Sequence, residues 1–101
     1  MSAVRRLVWD EAKRTANLAK HGLDFADAGW VLDSDIRMDV PDDASGEFRV
    51  QSFAYVYARL KTLMVVHVER GRDARIVSFR VASSEERKLY HEWLEAEDDP
   101  S

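Results

Sequence analysis

The chain has 101 residues, of which 46% are hydrophobic and 34% charged, with a formal net charge of −4 and no cysteine. These figures fit one domain over residues 1–101 with a modest core, and they exclude disorder, disulfides and cysteine-based zinc sites. No apolar run approaches the roughly 20 residues that span a bilayer, and the N-terminus MSAVRRLVWD has no signal-like apolar segment, so a soluble cytoplasmic protein is expected.

Val4–Trp9 alternates and reads as a short first strand. Asp10 stands where a helix N-cap belongs, and Glu11–Lys20 is rich in the helix formers Ala, Lys and Arg. Lys20-His21-Gly22 is a stop signal: basic residues in the last turn, then the residue that enters the left-handed conformation freely. Asp24 caps a second helix with Asp27 at its third position. Phe25, Ala28 and Leu32 form the buried face, with Val31 at its margin. Asp33 to Gly46 is acidic and broken by Pro41, with a short strand at Ile36–Val40.

Glu47–Tyr57 alternates between Phe48, Val50, Ala54 and Val56 on one face and Arg49, Gln51, Phe53, Tyr55 and Tyr57 on the other. After a turn at Arg59–Thr62, the runs Leu63–Val68 and Arg75–Ala82 flank Arg70-Gly71-Arg72-Asp73-Ala74, the pattern of a β-hairpin. Ser83 with Glu86 three residues on is a capping box for a last helix reaching about Glu95. That helix buries Leu89 or Tyr90 with Trp93 and Leu94. Residues 95–101 form an acidic tail expected to fray. The order is β-α-α-β-β-β-β-α: an α+β fold with two N-terminal helices and a C-terminal helix around an antiparallel meander sheet.

Charge is segregated along this order. Between Arg49 and Arg80 the basic residues are Arg49, Arg59, Lys61, Arg70, Arg72, Arg75 and Arg80, against only Glu69 and Asp73. A local positive field of this kind is hidden by the whole-chain charge and suits an anionic partner. Strand periodicity puts Leu63, Val65, His67 and Glu69 on one face of their strand, and Ile76, Ser78 and Arg80 on one face of the next. His67, Glu69 and Arg80 form one site if the register brings those faces together. The competing explanation for Glu69 and Arg80 is a cross-strand salt bridge, and for His67 a satisfied structural role.

Trp9-Asp10, Lys13, Asn17, Lys20-His21-Gly22, Phe25 and Ala28 together resemble the N-terminal signature of the BrnT family of toxins. Glu47-x-Arg49, Val65-Val66, Glu69-Arg70, Arg75-Ile76-Val77-Ser78-x-Arg80-x-Ala82 and Glu86-Arg87-x-x-Tyr90 are similar to the rest of that pattern, so the likeness runs from Trp9 to Tyr90. Two positions depart from it. Val81 stands where the family usually has a lysine after the arginine, and position 67 is His. The resemblance implies a RelE-like fold and a ribonuclease that stops translation. It also implies neutralisation by a DNA-binding BrnA antitoxin, through which alone operator DNA would be met.

On that implication the strands supply what metal-free RNA cleavage requires: a base for the 2′-hydroxyl, positive charge around the phosphate, and help for the leaving oxygen. Glu69 is the expected general base and Arg80 the bidentate phosphate clamp, with His67 a general acid or a second phosphate contact. Arg70, Arg72 and Arg75 are expected to bind the RNA backbone, with Arg49 and Arg59 extending the basic surface. Tyr55 and Tyr57 either stack on bases or pack under a helix. His21 has a local explanation at a helix C-terminus. No HExxH, glycine-rich phosphate loop or metal-spaced acidic cluster appears, so neither metal nor cofactor is expected. The alternative to a nuclease is a non-catalytic module whose basic hairpin docks RNA or protein.

Overall fold

A computed structural model describes residues 5–42 and 48–97. Its elements are β1 (Arg6–Val8), α1 (Glu11–His21), a 3-10 turn (Phe25–Asp27), α2 (Gly29–Leu32), β2 (Met38–Asp42), β3 (Arg49–Val56), β4 (Lys61–Arg70), β5 (Asp73–Val81) and α3 (Ser84–Glu97). Val4, Glu47 and residues 98–101, which belong to the expected strands and tail, lie outside the described residues. Of the expected tail, 95–97 belong to α3.

The local signals act where the sequence places them. The Asp10 carboxylate accepts from the amides of Ala12 and Lys13, and Gly22 closes α1 at φ 70°. Ser83 Oγ accepts from the Glu86 amide at 3.2 Å while Glu86 Oε1 accepts from the Ser83 amide at 2.8 Å, completing the capping box. The second helix is shorter than its apolar spacing predicts. It is split into the 3-10 turn, capped by Asp24, and the single turn of α2. Its buried face is nevertheless the expected one, with Val31 fully buried rather than marginal.

Five strands form one sheet in the order β1-β5-β4-β3-β2. The expected antiparallel meander holds for β2 to β5, but β1 joins β5 in parallel, with Arg6, Leu7 and Val8 opposite Asp73, Ala74 and Arg75. The sheet is therefore mixed. The reason lies in chain direction: α1 begins two residues after β1 and runs along the edge of β5, so β1 and α1 share that edge.

Both faces are covered. On one, Phe25, Ala28, Val31 and Leu32 pack on Ala54, Leu63, Val65, Ile76 and Phe79. On the other, Tyr90, Trp93 and Leu94 of α3 pack on Phe53, Met64 and Val66. The aromatic face of β3 is thus a second core rather than a polar surface. Tyr90 is wholly buried; its hydroxyl donates to the Ile36 carbonyl at 2.6 Å and accepts from the Tyr55 amide at 3.2 Å. Leu89, the alternative, faces solvent.

The β4–β5 ladder carries one irregularity. Val66 opposes Ser78, but the next residue, His67, opposes Ile76. Val77 is the extra residue of a β-bulge. Because side chains alternate with period 2, one inserted residue exchanges the faces of everything beyond it.

Candidate active site at the hairpin end of the sheet

The bulge decides which of the expected residues meet. His67 and Glu69 share a face, opposite Ile76 and Ala74. Arg80 opposes Met64 and lies on the other face, the one covered by α3. The site expected from Glu69, His67 and Arg80 is therefore not assembled, and no cross-strand pair joins Glu69 to Arg80 either. Arg80 makes a bidentate pair with Glu86 at 2.8 and 2.9 Å, on the first turn of α3. That pair, with the capping-box bonds, outweighs burial and holds Glu86 down to about 2.

Glu69 has different neighbours. Its carboxylate lies 3.2 Å from Arg5 Nη2 and 3.9 Å from Arg37 Nη2, with His67 Nδ1 at 3.8 Å. Arg5 and Arg37 both donate to the Leu32 carbonyl, at 3.1 and 2.9 Å, which fixes both guanidinium groups at the end of α2. Arg37 also makes a bidentate pair with Asp39 at 2.8 and 3.0 Å. Neither arginine is marked as a site residue by the sequence, because both lie far from the hairpin in the chain.

Behind Glu69 is a polar chain, buried at Ser52 and His67 and reaching the surface at Asp39. Ser52 and His67 are both 0% exposed. Ser52 Oγ donates to Asp39 Oδ1 at 2.6 Å, and since the carboxylate can only accept, the same oxygen accepts from His67 Nε2 at 2.7 Å. This network assigns the neutral imidazole proton to Nε2. Nδ1 then carries the lone pair, without a hydrogen-bond partner among the described residues, and faces Glu69. Burial pushes the His67 pKa below its ordinary value of 6.5; Glu69 opposes that shift and Arg37 adds to it. Burial alone would raise Asp39, but the hydrogen bonds from Arg37 and Ser52 hold it below its ordinary value. His67 has no exposed surface for an RNA to touch; the structural explanation accounts for its Nε2 contact, while Nδ1 has only the nearby Glu69 carboxylate. Ser52 was legible only indirectly, as a polar residue on the same alternation as Val50, Ala54 and Val56.

Arg5, the partner of Glu69, lines a cleft of about 570 Å³ together with Arg6, Arg72 and Asp73. Arg6 and Asp73 form a bidentate pair at 2.8 and 2.9 Å across the β1–β5 seam. Arg72 sits in the two-residue turn, where Gly71 at φ 59° supplies the positive φ such hairpins require.

The other expected RNA contacts scatter. Arg70 ends β4 opposite Asp73, and Arg75 opposes Val68 on β4 and Val8 on β1. Arg49 opposes Asp42 in the β2–β3 ladder. Arg59 lies in the β3–β4 turn at the far end of the sheet, about 30 Å from the hairpin by strand rise, where it donates to the Gly22 carbonyl at 3.3 Å. The basic run is thus divided between two ends of the sheet. Tyr55 packs with the α3 cluster, while Tyr57 is exposed against its edge at 5.2 Å. Among the described residues no group of three or more His, Asp or Glu side chains is placed to hold a metal ion, and no helix is long and apolar enough to cross a membrane.

The chain is a small α+β protein in which a carboxylate, Glu69, is set among guanidinium groups, one of which, Arg5, lines an open cleft. The family model for the ribonuclease toxin, BrnT, of type II toxin–antitoxin systems matches residues 9–86, and the chain belongs to that family. No curated protein gives a significant match to the chain.

Proposed function

We propose that this chain is a cytoplasmic endoribonuclease toxin that cleaves RNA by metal-independent transphosphorylation at the hairpin end of its sheet, and so inhibits translation. What supports this reading is the placement of Glu69 beside Arg5 and Arg37, with Arg5 also lining the cleft that Arg6 and Arg72 share. The Glu69 carboxylate takes the 2′-hydroxyl proton, the 2′-oxygen attacks phosphorus to form a 2′,3′-cyclic phosphate, and the bond to the 5′-oxygen breaks as that oxygen takes a proton from solvent water. Arg5 and Arg37 face the charge that accumulates on the phosphate, the role that the sequence alone assigns to Arg80. Arg72 contacts the backbone of the bound strand. His67 acts from behind, as a positioning residue on the strand that presents Glu69.

A BrnA-like antitoxin would cover this cleft with acidic or apolar surface, and operator DNA would be contacted through the antitoxin alone. The test is cleavage of a defined RNA in EDTA. Glu69→Gln is expected to lose at least about a hundredfold in rate, the low end of what a general base contributes, while Arg80→Ala, if folded, retains cleavage. Undiminished cleavage by Glu69→Gln would sink the assignment. A non-catalytic binding module is the second reading. It draws on the intramolecular carboxylate partners of Arg5, Arg6 and Arg37, which neutralise part of the cleft, and it predicts RNA binding without cuts in the same assay.

A further inference from the structure

Most of the basic side chains around the sheet are paired, but two lysines of α1 are not. Arg5, Arg6, Arg14, Arg37 and Arg80 each face a carboxylate within 3.3 Å. Lys13, Lys20 and His21 have no side-chain hydrogen bond or ion pair among the described residues, and no acid lies in the groove that they line. That groove, of about 320 Å³, runs between α1 and the edge of β5, over Asn17, Val77 and Ser78.

Its construction is specific. Beyond Arg75, β5 has no strand partner on its outer side, because β1 pairs only with residues 73–75. Asn17 takes the missing place: its Nδ2 donates to the Phe79 carbonyl at 2.8 Å and its Oδ1 accepts from the Phe79 amide at 3.2 Å. This clamps α1 lengthwise on the strand. Lys13 and Lys20 lie four residues before and three after Asn17, on the same face of the helix, about 10 Å apart along its axis.

The groove and the cleft lie along the same strand. Asp73 lines the cleft and Val77 the groove, about 13 Å further along the same strand. At the other end, Arg59 reaches the Gly22 carbonyl just after His21. Basic side chains thus follow the outer edge of the sheet from Arg72 and Arg6 through Lys13 and Lys20 to Arg59.

We propose that this groove holds the phosphodiester backbone of the RNA strand whose scissile phosphate lies in the cleft, an extension of the ribonuclease reading and dependent on it. Lysines spaced along an edge act as point charges on successive phosphates and need no buried area. An acidic protein segment is the poorer match. Protein interfaces are depleted in lysine and rely on aromatic anchors, and the groove has no aromatic lining.

The test uses the full chain and a short fluorescent 2′-O-methyl oligoribonucleotide, which binds but lacks the nucleophile. Lys13→Gln/Lys20→Gln should weaken binding at least about fivefold and reduce the salt slope by about 1.4, from roughly 0.7 per single-strand phosphate contact. Both lysines are exposed, so the melting temperature should be unchanged. Wild-type affinity and slope in this variant would overturn the groove while leaving the Glu69 cleavage assay to judge the nuclease. Equal competition by an oligoglutamate peptide of the same charge would overturn it as mere anion exchange. Absence of RNA binding by the wild-type chain at low salt would overturn both readings.

Discussion

Asn17 behaves as a short piece of strand supplied by a helix. It is buried, it bonds both backbone groups of Phe79, and its Nδ2 also donates to the Leu23 carbonyl at 3.1 Å. Asn17→Ala strips an amide and two carbonyls of their partners in a region closed to water. The expected cost is about 3 kcal/mol, read as a lower urea midpoint with an unchanged slope; a loss under about 1 kcal/mol would show that water replaces the side chain. Leu60 is the opposite case, a residue at odds with its place. Its φ is 53°, the one positive value at a described non-glycine residue, and its side chain is exposed. Leu60→Gly is expected to stabilise by up to about 1 kcal/mol, a rise of roughly 4–8 °C in melting temperature for a domain of this size.

Among the elements, β5 and α3 do most to distribute the chemistry. The bulge at Val77 sends Arg80 to α3 and leaves Glu69 to the arginines from before β1 and β2. Glu86 then has two tasks, closing the capping box with Ser83 and pairing with Arg80, so the start of α3 is tied to β5. Arg80→Ala should therefore show itself in stability, by about 1–3 kcal/mol for a partly buried charged hydrogen-bond pair, rather than in cleavage. A double-mutant cycle with Glu86→Gln measures that coupling. The capping box and the helix stop at Lys20-His21-Gly22 were legible because they are local. The bulge was not, since Val77 differs in no sequence property from its neighbours in a β-branched run.

At the scale of the whole molecule, His67 and Glu86 are the groups by which the response to acid is followed, with Asp24 and Asp39 also lowered. Burial lowers the folded pKa of His67 below 6.5, so the unfolded chain binds the proton first and stability falls as pH drops below that value. Glu86, at about 2 when folded against an ordinary 4.5, contributes stability above pH 4.5 that is lost as pH falls toward 2. Urea midpoints followed from about pH 7.5 to pH 2.5 should decline in two stages. His67→Gln should flatten the upper stage, and Glu86→Gln should reduce the lower one, where Asp24, also about 2, adds a solvent-screened share. A single decline below about pH 4.5 would show that His67 gains a partner for its Nδ1 proton. By itself the sequence determined the order of elements, the caps, the apolar faces of the helices and a spread of motifs sufficient to indicate the family, because each depends on spacing along the chain. Only the tertiary structure decided that β1 pairs in parallel, that Arg5 and Arg37 rather than Arg80 stand beside Glu69, and that Lys13 and Lys20 of α1 line a groove at a strand edge. Register, a one-residue bulge and the meeting of residues more than thirty positions apart depend on how strands align in space, and a period of two carries no record of where it is interrupted.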